Sequence, residues 1–190
     1  MVAALHPRAE AQGKVILLGE HSVVYGQPAL AAGLPHGLRL DAAPLPDPAA
    51  PHRLAIPAWE LDLALDASHP VAEAALAVLR ACDAPLTGWS ITGESRLPAR
   101  AGLGSSAALT VALARLALGP DAPLSDIVHA SLIGERVFHG APSGLDSEIS
   151  ARGGLLRFIR RPGGHEIEPL ARLLARAADE RSEEHTSELQ

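Results

Sequence analysis

Hydrophobic positions in this chain change period several times, and each change marks an element. Val15-Ile16-Leu17-Leu18 is an unbroken apolar run after Gly13, the pattern of a buried strand. From 22 to 40, small and apolar residues alternate around Gly26, Pro28, Gly33 and Gly37, which predicts strands joined by turns. The proline-rich stretch 42–57 reads as an extended loop. Ser68-His69-Pro70 opens a helix with Pro70 in its first turn, and Val71, Ala75, Val78, Leu79 and Cys82 give that helix one apolar face. Leu86 to Ser95 predicts a strand with Trp89 and Ile91 on one side. Gly104 begins a long apolar helix that stops near Gly119, and Ser125 is the N-cap of a third helix reaching about Phe138. After the loop "HGAPSGLD" come a short helix, Gly153-Gly154, and the strand "LLRFI". The turn Arg161-Pro162-Gly163-Gly164 leads to one more short strand. Strands and helices interleave without a regular βαβ rhythm, so the expected fold class is α+β. There are no internal repeats.

Composition narrows the function classes. At 190 residues and 47% hydrophobic the chain can bury a real core, and with 3% aromatics that core is aliphatic. A net charge of −6 argues against nucleic acid, whose phosphates need a basic face. The single cysteine, Cys82, excludes an internal disulfide and a Cys-rich metal site. The N-terminus carries no apolar segment of signal-peptide length. The apolar run 101–118 is too short and too polar to span a bilayer. The expectation is a soluble cytoplasmic protein. Lys14 is the only lysine among 16 Lys+Arg, and asparagine is absent, as a GC-rich coding bias produces. A lysine that persists against such a bias suggests a place where arginine's planar, bulkier head will not serve.

Three segments carry chemistry. In "PARAGLGSSAAL", Pro98 to Leu109, two glycines and two serines stand at the opening of a helix. Glycines let the backbone approach a ligand, successive N–H groups form an anion nest, and the helix dipole adds to it. The pattern is neither a Walker A loop nor a dinucleotide fingerprint. In "GERVFHGAPSGLDSEIS", Glu135 lies near a helix end, His139 reads as a loop histidine, and Asp146 follows a Gly/Pro loop. Ser143 and Asp146 also fit a capping box. Phosphoryl transfer needs a phosphate cradle, a cation held by hard oxygens, a protein cation, and a group that deprotonates the acceptor. Gly102 to Ser106, then Ser106 with Glu135, then Lys14, then Asp146 can fill these roles in turn.

These segments, with "GKVILLGEHSVVYGQPAL", resemble in order and spacing the motifs of the GHMP kinase superfamily, over about residues 13–160. The likeness is greatest to its mevalonate kinase branch. The resemblance implies a domain like the second domain of ribosomal protein S5, spanning 13–180 after an N-terminal extension, 1–12. It implies ATP and Mg²⁺ as cofactors, and phosphorylation of the 5-hydroxyl of mevalonate. By matching motif positions, Lys14 and Asp146 would be catalytic. Pro98, Gly102, Leu103, Gly104, Ser105, Ser106 and Ala107 would bind the nucleotide. Glu20, His21 and Ser143 would face the acceptor, and Ser106 and Glu135 would hold Mg²⁺. The expected partners are small molecules, with no nucleic acid and no membrane; a homodimer is left open. Arg100 is larger than expected before the glycine loop.

The family's C-terminal domain, with its own glycine-rich segment, has no counterpart in this sequence. The last stretch, "RSEEHTSELQ" (181–190), shifts composition abruptly and resembles a translated sequencing adapter, so the chain is expected to be a fragment. Two other readings compete. Phosphomevalonate kinase would want more basic residues than Lys14, His21, His36 and Arg39 around the acceptor. A non-catalytic nucleotide-binding fragment would be indifferent to the Lys14–Asp146 pair.

Overall fold

The structure, a computed structural model, describes residues 4–98, 101–170 and 172. Arg100 and the segment 181–190 lie outside the described residues. Among the described residues one mixed sheet of seven strands is covered by the four helices α1 to α4, as the α+β expectation required. The strands are β1 (Arg8–Leu18), β2 (Ala29–Pro44), β3 (Arg53–Ile56), β4 (Leu61–Ala64), β5 (Trp89–Ser95), β6 (Leu155–Arg161) and β7 (Gly164–Pro169). The helices are α1 (Pro70–Ala81), α2 (Ser105–Leu118), α3 (Leu124–His139) and α4 (Leu145–Arg152).

The sheet order is β4-β3-β5-β2-β6-β7, with β1 also paired to β2. β2 can serve so many neighbours because it is long. Its first part, Ala29–Ala32, pairs with β6, and its second, Leu38–Pro44, pairs with β5. All pairings are antiparallel except β3 with β5.

Strand β1 starts at Arg8, seven residues ahead of the strand start at Val15 expected from the sequence. Ala9 and Ala11 are buried between exposed Arg8, Glu10 and Gln12, a clean period of two. The β1–β2 register then breaks between Gln12 and Lys14. Both Gly13 and Lys14 are buried after the break, so the break turns Lys14 toward the helices.

The stretch 42–57 is not all loop. Prolines at 51 and 57 bracket β3, whose Leu54 and Ile56 are fully buried, and β4 returns beside it as a hairpin. Helix α1 begins where expected, with the His69 ring accepting the Val71 N–H. Helix α3 begins after Pro123, so Ser125 lies inside it and is not its cap.

Helix α2 is buried on nearly every side, from Ala107 through Leu116. It packs on α1, α3, α4 and β1. Its alanines let the other helices approach closely. Gly134 on α3 does the same in reverse: a Cβ there would meet Val78 Cγ2 at 2.6 Å and Thr110 Cγ2 at 2.7 Å. The main core lies between the helices and β2, β3 and β5. A smaller one, built from Leu145, Ile149, Leu156 and Phe158 with Ala29 and Ala31, seats α4 on the sheet. Cys82 is a half-buried thiol pushed up to about 11 by burial and then by Asp83. Among the described residues no helix is long and apolar enough to cross a membrane.

Candidate active site

The N-terminal ends of α2 and α4, the C-terminal end of α3 and the middle of β1 meet at one place. Lys14 on β1 is fastened there twice. Its N–H donates to the Leu103 carbonyl at 2.8 Å. Its stem crosses Gly104 so closely that a Cβ at 104 would sit 2.5 Å from Lys14 Cγ. Gly104 has φ +77° and forms the N-terminal end of α2, a conformation and a contact that a larger residue cannot share. Gly13 repeats the logic from the strand side: a Cβ would lie 2.6 Å from Leu97 Cδ2 and 3.1 Å from the Leu103 carbonyl. Strand and glycine loop are therefore interlocked.

Lys14 is 7% exposed, and its Nζ lies 3.0 Å from Asp146 Oδ2. A lysine carried that far into the protein needs a counter-charge, and Asp146 in the first turn of α4 supplies it. The capping box expected of Ser143 and Asp146 does not form. Gly144, at φ +91°, is the N-terminal residue of α4 without any side-chain cap. Ser143 Oγ instead accepts the Leu145 N–H at 3.3 Å, which leaves the Asp146 carboxylate free for Lys14.

Across α2, Ser106 Oγ donates to Glu135 Oε2 at 3.5 Å. Glu135 is 1% exposed, and its other oxygen, Oε1, is buried without a hydrogen-bond partner. Burial pushes this carboxyl up to about 7. The Ser106 hydrogen bond opposes the rise, Asp146 adds to it, and Lys14 opposes it. A buried carboxylate with a spare oxygen beside a hydroxyl is a hard-oxygen donor set, and it fits Mg²⁺.

Behind the site runs a chain of hydroxyls that the sequence did not announce. Thr110 Oγ1 and Ser131 Oγ are 2.8 Å apart, and Ser131 Oγ donates to Ser147 Oγ at 2.9 Å. One link comes from each of α2, α3 and α4, the helices that carry Ser106, Glu135 and Asp146. Ser150 Oγ donates to the Gln12 carbonyl at 2.5 Å and ties α4 to β1 just before the lysine. Gly134, Thr110, Ser131 and Ser147 were legible only as small residues on buried helix faces.

The remaining expected residues divide in two. Gly102 (φ +74°), Leu103, Gly104, Ser105 and Ser106 form the turn into α2. Gly102 is exposed and open, so its backbone is accessible to a ligand, whereas the Ala107 side chain is fully buried in the core. Pro98 is exposed next to Leu97, whose carbonyl accepts the Trp59 indole N–H at 2.8 Å. Glu20 and His21 stand exposed in the turn after β1, which Gly19 at φ +88° initiates. Among the described residues no hydrogen bond or ion pair joins them to Lys14 or Asp146.

Comparison with known proteins then bears on the whole. The sequence pattern of the GHMP kinases N terminal domain matches residues 69–154. The chain is 36% identical to the mevalonate kinase of Aeropyrum pernix, over 85% of this chain and 53% of that one. It is 34% identical to the mevalonate kinase of Pyrococcus furiosus, over 78% and 50%. Among solved structures, L. major mevalonate kinase in complex with R-mevalonate superposes with a TM-score of 0.68. That match has 26% identity and covers 89% of this chain and 53% of the other. The chain spans about half the length of the curated relatives it matches.

Proposed function

From the premise that this chain belongs to the GHMP kinase family and carries its N-terminal domain, we propose that it is the nucleotide-binding part of an ATP-dependent kinase. The acceptor is the 5-hydroxyl of mevalonate. The observation that carries the proposal is the pairing of buried Lys14 with half-buried Asp146 at 3.0 Å, set beside a glycine turn at a helix N-terminus. The mevalonate kinase relatives support the acceptor.

In this reading, backbone N–H groups from Gly102 to Ser106 hold the phosphates, with Pro98 and Ala107 flanking the turn. Asp146 takes the proton from the acceptor hydroxyl as its oxygen attacks the γ-phosphorus. The new O–P bond forms while the bond to the β-phosphate oxygen breaks, and ADP leaves. Lys14 orients the carboxylate and the hydroxyl, its stem crossing Gly104 to bring the compact ammonium to Asp146. Ser106 and Glu135 would hold Mg²⁺, which neutralises phosphate charge when bound. Glu20, His21 and Ser143 are assigned to the acceptor, with His21 as the partner for its carboxylate. The reading keeps the cytoplasm as the compartment, and it extends the expected domain, 13–180, toward the N-terminus to take in β1 from Arg8.

The test uses the complete reading frame that contains this sequence. ADP release that requires both mevalonate and Mg²⁺ is expected. Absence of mevalonate-dependent release, with good turnover of another alcohol, would reassign the acceptor.

A further inference from the structure

Nothing in the sequence singles out His165, yet its ring touches the turn on which the assigned proton acceptor stands. His165 is the second residue of β7 and lies opposite Arg160 in the β6–β7 hairpin. Its ring packs on buried Phe158, with centroids 4.8 Å apart and planes inclined by 38°. The Nε2 edge meets Gly144, where a Cβ would lie 2.7 Å from Nε2 and 3.2 Å from Cε1. Nδ1 is buried, and no hydrogen bond reaches it.

Gly144 is a position where such contact counts. With φ +91° it starts α4 without a side-chain cap, and glycine's backbone is free to drift unless neighbours confine it. Its carbonyl accepts the Glu148 N–H at 3.0 Å and closes the first turn of the helix. Asp146 stands inside that turn, its Oδ2 3.0 Å from Lys14 Nζ. Ser143 holds the Leu145 N–H and Lys14 holds the carboxylate, but the atoms packed most closely on Gly144 all belong to His165.

The neutral ring suits this place. A protonated imidazole carries two N–H donors, and the one at Nδ1 would be buried without a well-placed acceptor. The charged groups facing the ring are Glu148 from α4, itself bonded to Arg152 at 2.7 Å, and Arg160 from β6. Burial pushes the ring's pKa down. Glu148 opposes this, Arg160 adds to it, and the Gly164 backbone opposes it.

We infer that His165 is a positioning residue for Asp146: its neutral ring, packed on Phe158 and Gly144, fixes the first turn of α4 and so the direction of the carboxylate toward Lys14. The inference rests on the reading of Asp146 as proton acceptor. It does not depend on which alcohol is phosphorylated.

The experiment uses the complete protein and two variants. His165→Ala removes the ring, and His165→Phe keeps its bulk without its nitrogens. His165→Ala is expected to lower kcat by at least about tenfold, with KM for ATP and mevalonate within about twofold, because small misplacements of a reacting group are costly. His165→Phe is expected to restore kcat to within about threefold. Residue-resolved hydrogen exchange gives a readout without turnover. In His165→Ala the Glu148 amide is expected to exchange at least about tenfold faster, while the Gly153 amide, bonded to the Ile149 carbonyl at the far end of α4, changes by less than about twofold. Should His165→Ala not fold, His165→Val takes its place with the same expectations. Equal acceleration of both amides, or an unchanged kcat in the folded variant, would overturn the inference and leave His165 a general contributor to stability. A fully active Asp146→Asn protein would overturn the reading of Asp146, and the positioning role with it, even where the Glu148 amide responds as expected.

Discussion

Lys14 and the Glu20–His21 turn are a few residues apart on one continuous stretch of chain, yet they are built in opposite ways. Lys14 is buried, held by the Leu103 carbonyl, crossed over Gly104 and paired with Asp146. Glu20 and His21 are exposed, and so are their neighbours Leu17, Leu18, Val24 and Tyr25, the last at 83%. The difference teaches where precision resides in this domain. The pair assigned to the proton transfer is fixed by the packing of strand against helices. Glu20 and His21, assigned to the acceptor, are displayed on a turn organised by the bonds from Ser22 and Val23 to Gly19 and anchored by one buried side chain, Val23.

The sharpest way to break this contrast is to disable the buried end. In the complete protein, Lys14→Met and Asp146→Asn are each expected to lower kcat by about a thousandfold or more, since positioning and electrostatics carry most of such a reaction. Steady-state ADP release measures this, and a loss under tenfold would refute the assignment.

The next effect concerns stability and pH. Glu135 titrates near 7 in the fold and near 4.5 when unfolded. The folded state thus binds more protons between those values, and stability is full below the lower one and lost as pH rises through the upper one. The loss amounts to roughly 3 kcal/mol for a shift of this size. Chemical denaturation of the metal-free chain at pH 5 and pH 8 should show it, and Glu135→Gln should flatten it.

Gly104→Ala sharpens the contrast from the backbone side. It forces an alanine into φ +77° against the lysine stem, and a loss of about 1–3 kcal/mol is expected. Thermal unfolding reads this, and an unchanged midpoint would deny the interlock.

At the open end, His21→Ala is expected to raise KM for mevalonate by about tenfold, worth about 1.4 kcal/mol, with kcat nearly unchanged. A kcat loss as large as that of Lys14→Met would erase the distinction between the two ends. Smallest of all, Tyr25→Ser should change stability by no more than about 0.5 kcal/mol in the same thermal scan.

Much of this arrangement was legible in the sequence, and its gaps have physical causes. The long helices could be read because Val71, Ala75 and Val78, or the apolar run after Gly104, keep helical spacing over several turns. The β3–β4 hairpin could not. Each strand is four residues long, and the flanking prolines signal a loop more strongly than buried Leu54 and Ile56 signal a strand. The first part of β1 was hidden for another reason: its buried face is made of alanines, which barely differ from their surroundings in hydropathy. At the site, residue types single out Lys14, Ser106, Glu135 and Asp146, and the fold brings the four side chains together. What they did not announce was contact. Ser143 reads as a cap, and only the left-handed Gly144 shows why it is not one. His139 reads as a loop residue until its ring is found against Ser106.

The break in β1 between Gln12 and Lys14 separates two clocks. Pairing with β2 runs on both sides of it, from Arg8 to Gln12 and again from Lys14 to Leu18, but the Lys14 amide is bonded across to the loop that begins α2. In a hydrogen-exchange experiment the strand would not report as one unit. Its first half would open with the sheet, and its lysine would keep time with the helices.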